Sequence, residues 1–224
     1  MTERVVRPDV LGYRQEPLPH EFVQQPHPDK LAVLLPGMGY GLRGPSLHYA
    51  AATLHDLGFD TFALDTRYNT PEFQALPDDQ ARQWLREDVT AALQAAWTAR
   101  PYRALCIVAK SLGTAGLTFV LEEGGFLPGD ARLVWLTPLL NRPDVTAQIM
   151  HCARRSLVVI GTEDPHHHPA HLEALQAAGV QLLVLPGAGH AFTVPGDTPA
   201  SLAHLSRIMA ALRDFLLPDG HLPR

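Results

Sequence analysis

The sequence predicts an α/β fold, a three-layer αβα sandwich around a mostly parallel central sheet. Two observations lead to this prediction. Short, continuous apolar runs alternate with longer segments of helical periodicity, and the runs end at glycine, proline or polar residues. Strands that alternate with helices pair in parallel through right-handed crossovers. The 224 residues are 46% hydrophobic, which is ample for one large core, so we expect a single domain over residues 1–224.

Six apolar runs are predicted as strands, at residues 31–35, 61–64, 104–108, 133–136, 157–160 and 181–185. Helical spacing predicts helices at 45–57, 78–99, 114–123, 145–153, 169–178 and 199–216. Residues 69–78 contain two prolines and are predicted as a loop. Residues 1–29 carry five prolines among largely polar residues, which favours an N-terminal arm or edge hairpin over a central strand.

Charge and composition exclude several classes of partner. The net charge is -5 and no cluster of lysine or arginine occurs, so we expect neither a nucleic-acid nor an anionic-membrane surface. No run approaches the roughly 20 apolar residues of a membrane span, and residues 1–16 lack the apolar core of a signal peptide. Cys106 and Cys152 lie in apolar surroundings and are predicted to be buried, reduced thiols. We therefore expect a soluble, cytoplasmic protein, whose oligomeric state the sequence leaves open.

The fold is organised around the turn that follows residues 104–108. The segment Ala-Lys-Ser-Leu-Gly at 109–113 separates this apolar run from a helical pattern, which should hold Ser111 on a sharp strand-to-helix turn. Hydrolases hold a nucleophile on such a turn. A serine hydroxyl is a weak nucleophile, so it needs a base, a group that orients the base, and donors for the developing oxyanion.

Two further titratable residues follow later strands of the predicted sheet. Asp164 comes after residues 157–160, and His190 comes after residues 181–185. Functional loops of an open parallel sheet lie beyond the carboxyl ends of its strands, so both should share an edge with Ser111. Glu163 remains an alternative to Asp164, because the register at a strand end is uncertain by about one residue.

The turn at Ser111 and the chain order serine, acid, histidine resemble the α/β-hydrolase superfamily, over residues 30–216. The resemblance implies that Ser111 is the nucleophile, His190 the general base and Asp164 the group that orients the imidazole. Ala109 departs from the family's G-x-S-x-G pattern, in which the first position is glycine. A methyl group is the smallest possible intrusion there, so the mechanism is retained.

The resemblance also implies an oxyanion site built from backbone donors. The glycine-rich exit at residues 37–39 looks like the family's oxyanion loop, so the N–H groups of Met38 and Leu112 should receive the oxyanion. Backbone donors suffice for this role, and neither a cofactor nor a metal is expected. The run at 166–168 consists of three histidines, but consecutive residues do not all face one point, so a solvated loop is favoured over a metal site.

Several side chains in the predicted edge loops are candidates for substrate contact. Arg43 and His48 either touch an anionic substrate group or are an ordinary solvated arginine and helix histidine. The apolar candidates either line an acyl pocket or pack under loops, and they are Tyr40, Tyr68, Leu139, Leu140 and Phe192.

The chain has room for only one short helix between Leu136 and Leu157, where lipase-like relatives of the superfamily insert a long cap. We therefore expect a lidless site, shielded by residues 66–78 and the oxyanion loop, that favours small or soluble substrates. The expected activity is hydrolysis of a carboxylic ester or related acyl bond through an acyl-enzyme. Two alternatives stay open: a non-catalytic scaffold that binds a ligand or partner, and an acyltransferase or perhydrolase with the same triad.

Overall fold

An eight-stranded sheet forms the centre of the protein in the computed structural model, which describes residues 4–66 and 68–217. Its strands are β1 (Arg4–Val6), β2 (His20–Gln24), β3 (Lys30–Leu35), β4 (Asp60–Leu64), β5 (Ala104–Lys110), β6 (Arg132–Leu136), β7 (Ser156–Gly161) and β8 (Gln181–Leu185). Their order across the sheet is β1-β2-β4-β3-β5-β6-β7-β8. The six predicted strands are β3 to β8. Both ends of each strand lie within two residues of the predicted bounds.

Strand direction divides the sheet into a parallel part and an antiparallel edge. All pairs among β3 to β8 are parallel, as expected for strands joined by helical crossovers. The two N-terminal strands pair antiparallel with each other, and β2 also pairs antiparallel with β4. The prediction of a mostly parallel sheet is therefore confirmed.

Seven α-helices connect and follow these strands in the described part of the chain. They are α1 (Pro45–Asp56), α2 (Pro71–Gln74), α3 (Asp78–Thr98), α4 (Leu112–Glu123), α5 (Pro143–His151), α6 (Pro169–Ala177) and α7 (Thr198–Leu216). The prediction of a loop over residues 69–78 is wrong where α2 forms. Thr70 caps this single turn by accepting a hydrogen bond from the Phe73 backbone N–H, and Pro71 suits its first position. Burial of the Phe73 side chain anchors the turn.

The helices cover both faces of the sheet and complete the predicted three layers. One hydrophobic cluster packs α3 to α6 against one face, and a second packs α1 and α7 against the other. Side chains alternate between the faces along β5: Ile107 and Ala109 belong to the first cluster, and Cys106 and Val108 to the second. Cys106 and Cys152 are both buried and free.

The segment between β6 and β7 contains only α5 and a 3-10 turn at Ala153–Arg155. The expectation that no large cap covers the sheet edge is confirmed. Within residues 4–66 and 68–217, no helix combines the length and the apolar character needed to cross a bilayer.

Candidate active site

Three loops bring Ser111, Asp164 and His190 together at the carboxyl edge of the parallel strands. Ser111 follows β5, Asp164 follows β7 and His190 follows β8. The Ser111 Oγ and His190 Nε2 atoms are 2.7 Å apart, and His190 Nδ1 lies 2.8 Å from Asp164 Oδ2. The three side chains therefore form one continuous chain of hydrogen bonds from a hydroxyl to a carboxylate.

The turn at Ser111 has an unusual backbone conformation. Its φ of 50° and ψ of -116° lie in a region that non-glycine residues rarely adopt. Hydrogen bonds hold the strained residue on both sides: its N–H donates to the Leu136 carbonyl at 2.9 Å, and its carbonyl accepts from the Thr114 Oγ1 hydroxyl at 2.6 Å. Ala109 occupies the position that is glycine in the usual motif. It is fully buried and belongs to the hydrophobic cluster that includes α3 and α4.

The protonation pattern of the site follows from Asp164. Burial by itself would raise the pKa of this carboxyl, but hydrogen bonds from His190 and from the His166 backbone N–H outweigh burial and lower it. An ionised carboxylate only accepts hydrogen bonds, so His190 Nδ1 carries the proton and Nε2 is left as an acceptor for the Ser111 hydroxyl. Glu163, the alternative acid, is exposed, and its carboxylate accepts a long hydrogen bond from the Thr162 hydroxyl at 3.4 Å.

A close approach between two backbones sets the distance between the loops that carry Asp164 and His190. A Cβ added to Gly161, at the end of β7, would lie 1.9 Å from the Ala188 carbonyl oxygen. Only glycine allows this approach without movement of the loop. The backbone N–H of Glu163 also donates to the Ala188 carbonyl at 3.0 Å, which joins the two loops next to the site.

The glycine-rich loop after β3 lies beside Ser111. A Cβ added to Gly37 would lie 3.2 Å from the Ser111 Cβ atom, so the loop approaches the hydroxyl closely. Met38 follows in this loop with 40% of its surface exposed. Leu112 is the first residue of α4, and N–H groups in the first turn of a helix have no intrahelical acceptor. Leu112 thus follows Ser111 in the chain, and Met38 follows the glycine that approaches Ser111.

The structure separates the candidate substrate contacts into exposed and buried groups. Arg43 and His48 are exposed on the loop after β3 and on α1, and the His48 ring packs edge-on against Tyr49. Leu139 is half-buried, whereas Leu140 is fully buried.

Tyr68 is also buried, and its hydroxyl donates to Asp88 Oδ2 at 3.1 Å. Burial and the nearby Asp88 carboxylate raise its pKa well above the ordinary value. Its hydroxyl is thus already bonded within the fold, to a residue that takes no part in the Ser111 hydrogen bonds.

The histidine run diverges, as expected for consecutive residues. The His166 ring lies edge-on to the His190 ring with centroids 5.4 Å apart, and its Nδ1 is 2.7 Å from Asn141 Oδ1. His168 instead stacks on His171. Polar ligand atoms of Asp164, His166 and His190 lie within 4.8 Å of one another, so the described residues contain a three-ligand group. Two of its members already bond each other in the chain that reaches Ser111, and we assign no metal to it.

One residue of the site has no role in the sequence prediction. Lys110, directly before Ser111, has 1% of its surface exposed and contacts the loops after β3, β6 and β8. A lysine is rarely buried, and the loops that enclose this one are distant in the chain, so the local sequence gave no signal of its burial.

No family model and no curated protein matches the sequence. Solved structures do match the backbone. A protein of unknown function from Agrobacterium tumefaciens has a TM-score of 0.72 and 15% identity over 100% of both chains. A lidless α/β serine hydrolase from Xanthomonas campestris has a TM-score of 0.70 and 16% identity over 99% of this chain and 97% of that one. The chain has the α/β-hydrolase fold.

An esterase from Pyrococcus furiosus shares the α/β-hydrolase fold with a TM-score of 0.64 and 14% identity, over 96% of this chain and 91% of that one. At such identities the likeness concerns the path of the backbone. The activity of this α/β-hydrolase fold has to be inferred from the side chains at its site.

Proposed function

We propose that the protein is a serine hydrolase that cleaves a carboxylic ester or related acyl bond through an acyl-enzyme intermediate. One observation carries this proposal: the hydrogen-bond chain from Ser111 Oγ through the His190 imidazole to the ionised Asp164 carboxylate. A structural serine needs no base within 2.7 Å of its hydroxyl, whereas a nucleophile does.

Each member of the chain then has one role in acylation. His190 Nε2 takes the proton of the Ser111 hydroxyl as the oxygen attacks the substrate carbonyl carbon. Asp164 keeps the imidazole in the required tautomer and stabilises the imidazolium that forms. The backbone N–H groups of Met38 and Leu112 donate to the oxyanion, which stabilises the tetrahedral intermediate more than the ground state.

Collapse of the intermediate completes the first half of the reaction. The imidazolium of His190 gives its proton to the leaving alcohol, and the acyl group stays on Ser111 Oγ as an ester. A water molecule then attacks this ester with His190 again acting as base. The acid leaves, and the serine recovers its proton from the imidazolium.

The short segment between β6 and β7 supports a preference for small or soluble substrates. With only α5 and a 3-10 turn between β6 and β7, no long cap shields a lipid chain from water. We expect short p-nitrophenyl esters to be hydrolysed faster than long-chain triglyceride emulsions, and the opposite order would contradict the small-substrate proposal.

A fluorophosphonate probe tests the catalytic proposal directly. We expect the wild-type protein to be labelled, Ser111→Ala to remain unlabelled, and His190→Ala to be labelled far more slowly. Circular dichroism shows whether each variant is folded. A folded wild-type protein that resists the probe would instead favour the non-catalytic scaffold.

A substrate panel then separates hydrolysis from acyl transfer. Esters, thioesters, lactones and amides are compared under the same conditions, each with added alcohol, amine or hydrogen peroxide as a competing acceptor. Predominant formation of acid supports a hydrolase. Products formed chiefly from the added acceptor would favour an acyltransferase or perhydrolase with the same three residues.

A further inference from the structure

Lys110 carries a buried amine that the hydrolytic mechanism leaves unused. The sequence contains two lysines, at positions 30 and 110, and Lys110 is the one fully enclosed at the site. A charged amine is costly to bury unless polar partners surround it. Burial lowers the pKa of Lys110 to about 7, and the Asp164 carboxylate partly opposes this change. The folded protein therefore holds this lysine at a substantial cost in stability.

The contacts of Lys110 all come from loops that surround Ser111. Its Nζ atom donates to Thr137 Oγ1, after β6, and to the backbone carbonyl of His190, after β8, each at 2.9 Å. The same atom lies 4.6 Å from the centre of the Tyr40 ring and 4.7 Å from that of Phe192, which allows cation–π contacts with both. One amine thus joins the oxyanion loop, the β6 exit and the histidine loop.

Two of these partners have strained backbones. Thr137 has a φ of 45° and Phe192 a φ of 62°, both in the left-handed region that favours glycine. Ser111 itself has a φ of 50°. Residues persist in such conformations only where their surroundings hold them there. Lys110 touches the side chains of both loop residues and directly precedes Ser111 in the chain, so it lies at the centre of this strained region.

We propose that Lys110 is a positioning residue that holds the His190 loop in the register at which its imidazole meets Ser111. The proposal rests on the proposed hydrolase function. The amine holds the carbonyl of His190 itself, so its loss frees the backbone of the residue whose side chain must act as base. A misplacement of about 1 Å at a reacting group reduces catalysis by roughly 100-fold. Lys110 touches no reacting atom and is not a catalytic residue.

Lys110→Met tests this role because it keeps a long side chain and removes the donors. We expect kcat for an activated ester to fall by roughly 100-fold while KM stays within about 2-fold, since substrate contacts are retained. Lys110→Arg, which retains a cationic donor, should recover part of the loss. Thr137→Val keeps the lysine and removes one acceptor, so we expect a smaller loss of roughly 3-fold to 10-fold. It also tests the contact if Lys110→Met does not fold.

Lys30→Met is the matched control. Lys30 begins β3 at the opposite end of the strand, where its Nζ donates to the Leu57 carbonyl at 2.9 Å and lies 5.3 Å from the Phe59 ring centre. It therefore makes the same kinds of contact away from the site. We expect Lys30→Met to retain the wild-type kcat.

A proton NMR measurement tests the positioning without any substrate. The Nδ1 proton in the bond from His190 to Asp164 should give a low-field resonance, assigned by its loss in His190→Gln. We expect Lys110→Met to lose or broaden this resonance and Lys30→Met to keep it.

If Lys110→Met keeps both the wild-type kcat and the resonance, the positioning role is wrong. If the wild-type protein shows the resonance but neither hydrolyses esters nor reacts with the probe, the hydrolase proposal fails instead, and the resonance still decides the role of Lys110.

Discussion

The burial of Lys110 predicts a specific pH dependence of stability. Its pKa is 10.5 in the unfolded chain and about 7 in the folded protein, where burial disfavours the charge. Between these values the unfolded chain holds one proton that the folded protein lacks. Stability therefore rises with pH across this window, and the full cost of burying the amine is present only below about pH 7.

The magnitude follows from the width of the window. Each pH unit between about 7 and 10.5 changes the free energy of unfolding by about 1.4 kcal/mol. From pH 7 to pH 9 the wild-type protein should gain about 2 kcal/mol relative to Lys110→Met. The variant also leaves the buried Thr137 and His190 acceptors without this donor, at about 1–3 kcal/mol each. That cost does not depend on pH. It therefore shifts the stability curve of the variant by a constant amount and leaves the difference in slope between the two proteins unchanged.

Urea unfolding between pH 6 and pH 9 measures this difference. The other titrating groups are common to both proteins, so they cancel in the difference between their unfolding free energies. Parallel curves for wild type and Lys110→Met from pH 7 to pH 9 would refute the inference that the amine is buried at such cost.

Three further changes probe the site and its framework. We expect Asp164→Asn to lower kcat by about 10³–10⁴, because an amide does not hold the imidazole in the required tautomer. Glu163→Gln should keep kcat within about 2-fold of the wild-type value in the same ester assay. Similar losses in both variants would refute the assignment of Asp164. Gly161→Ala forces a Cβ against a backbone carbonyl and should destabilise the protein by more than about 3 kcal/mol in urea unfolding, whereas Gly129→Ala meets no atom within 4 Å and should change little. Dialysis against EDTA should leave ester hydrolysis unchanged, and a loss restored by zinc would contradict a metal-free mechanism.

Apolar runs and turn residues were enough to predict the framework of the sheet. The runs at β3 to β7 are buried almost throughout, so their sequence is continuously apolar and easily distinguished from helical periodicity, and the edge strand β8 keeps the same apolar pattern although it is only partly buried. The one-turn helix α2 was missed because two prolines over residues 69–78 were interpreted as loop residues, whereas Pro71 occupies the first helical position, Thr70 caps the turn and Phe73 is buried. The antiparallel pairing of β2 with β4 could not be predicted from the pattern of residues 1–29 either, because it depends on a strand that lies far away in the chain.

Chain order and strand ends by themselves predicted which three polar side chains meet at one edge of the sheet. In a parallel sheet, residues after the strands share one edge, so Ser111, Asp164 and His190 were expected to meet without knowledge of any distance. Only the tertiary structure decided between Asp164 and Glu163 as the partner of His190, because the side chain that faces inward depends on the local turn. It also decided the environment of Lys110. Burial of an amine depends on loops more than 25 residues away in the chain, and local sequence carries no record of them.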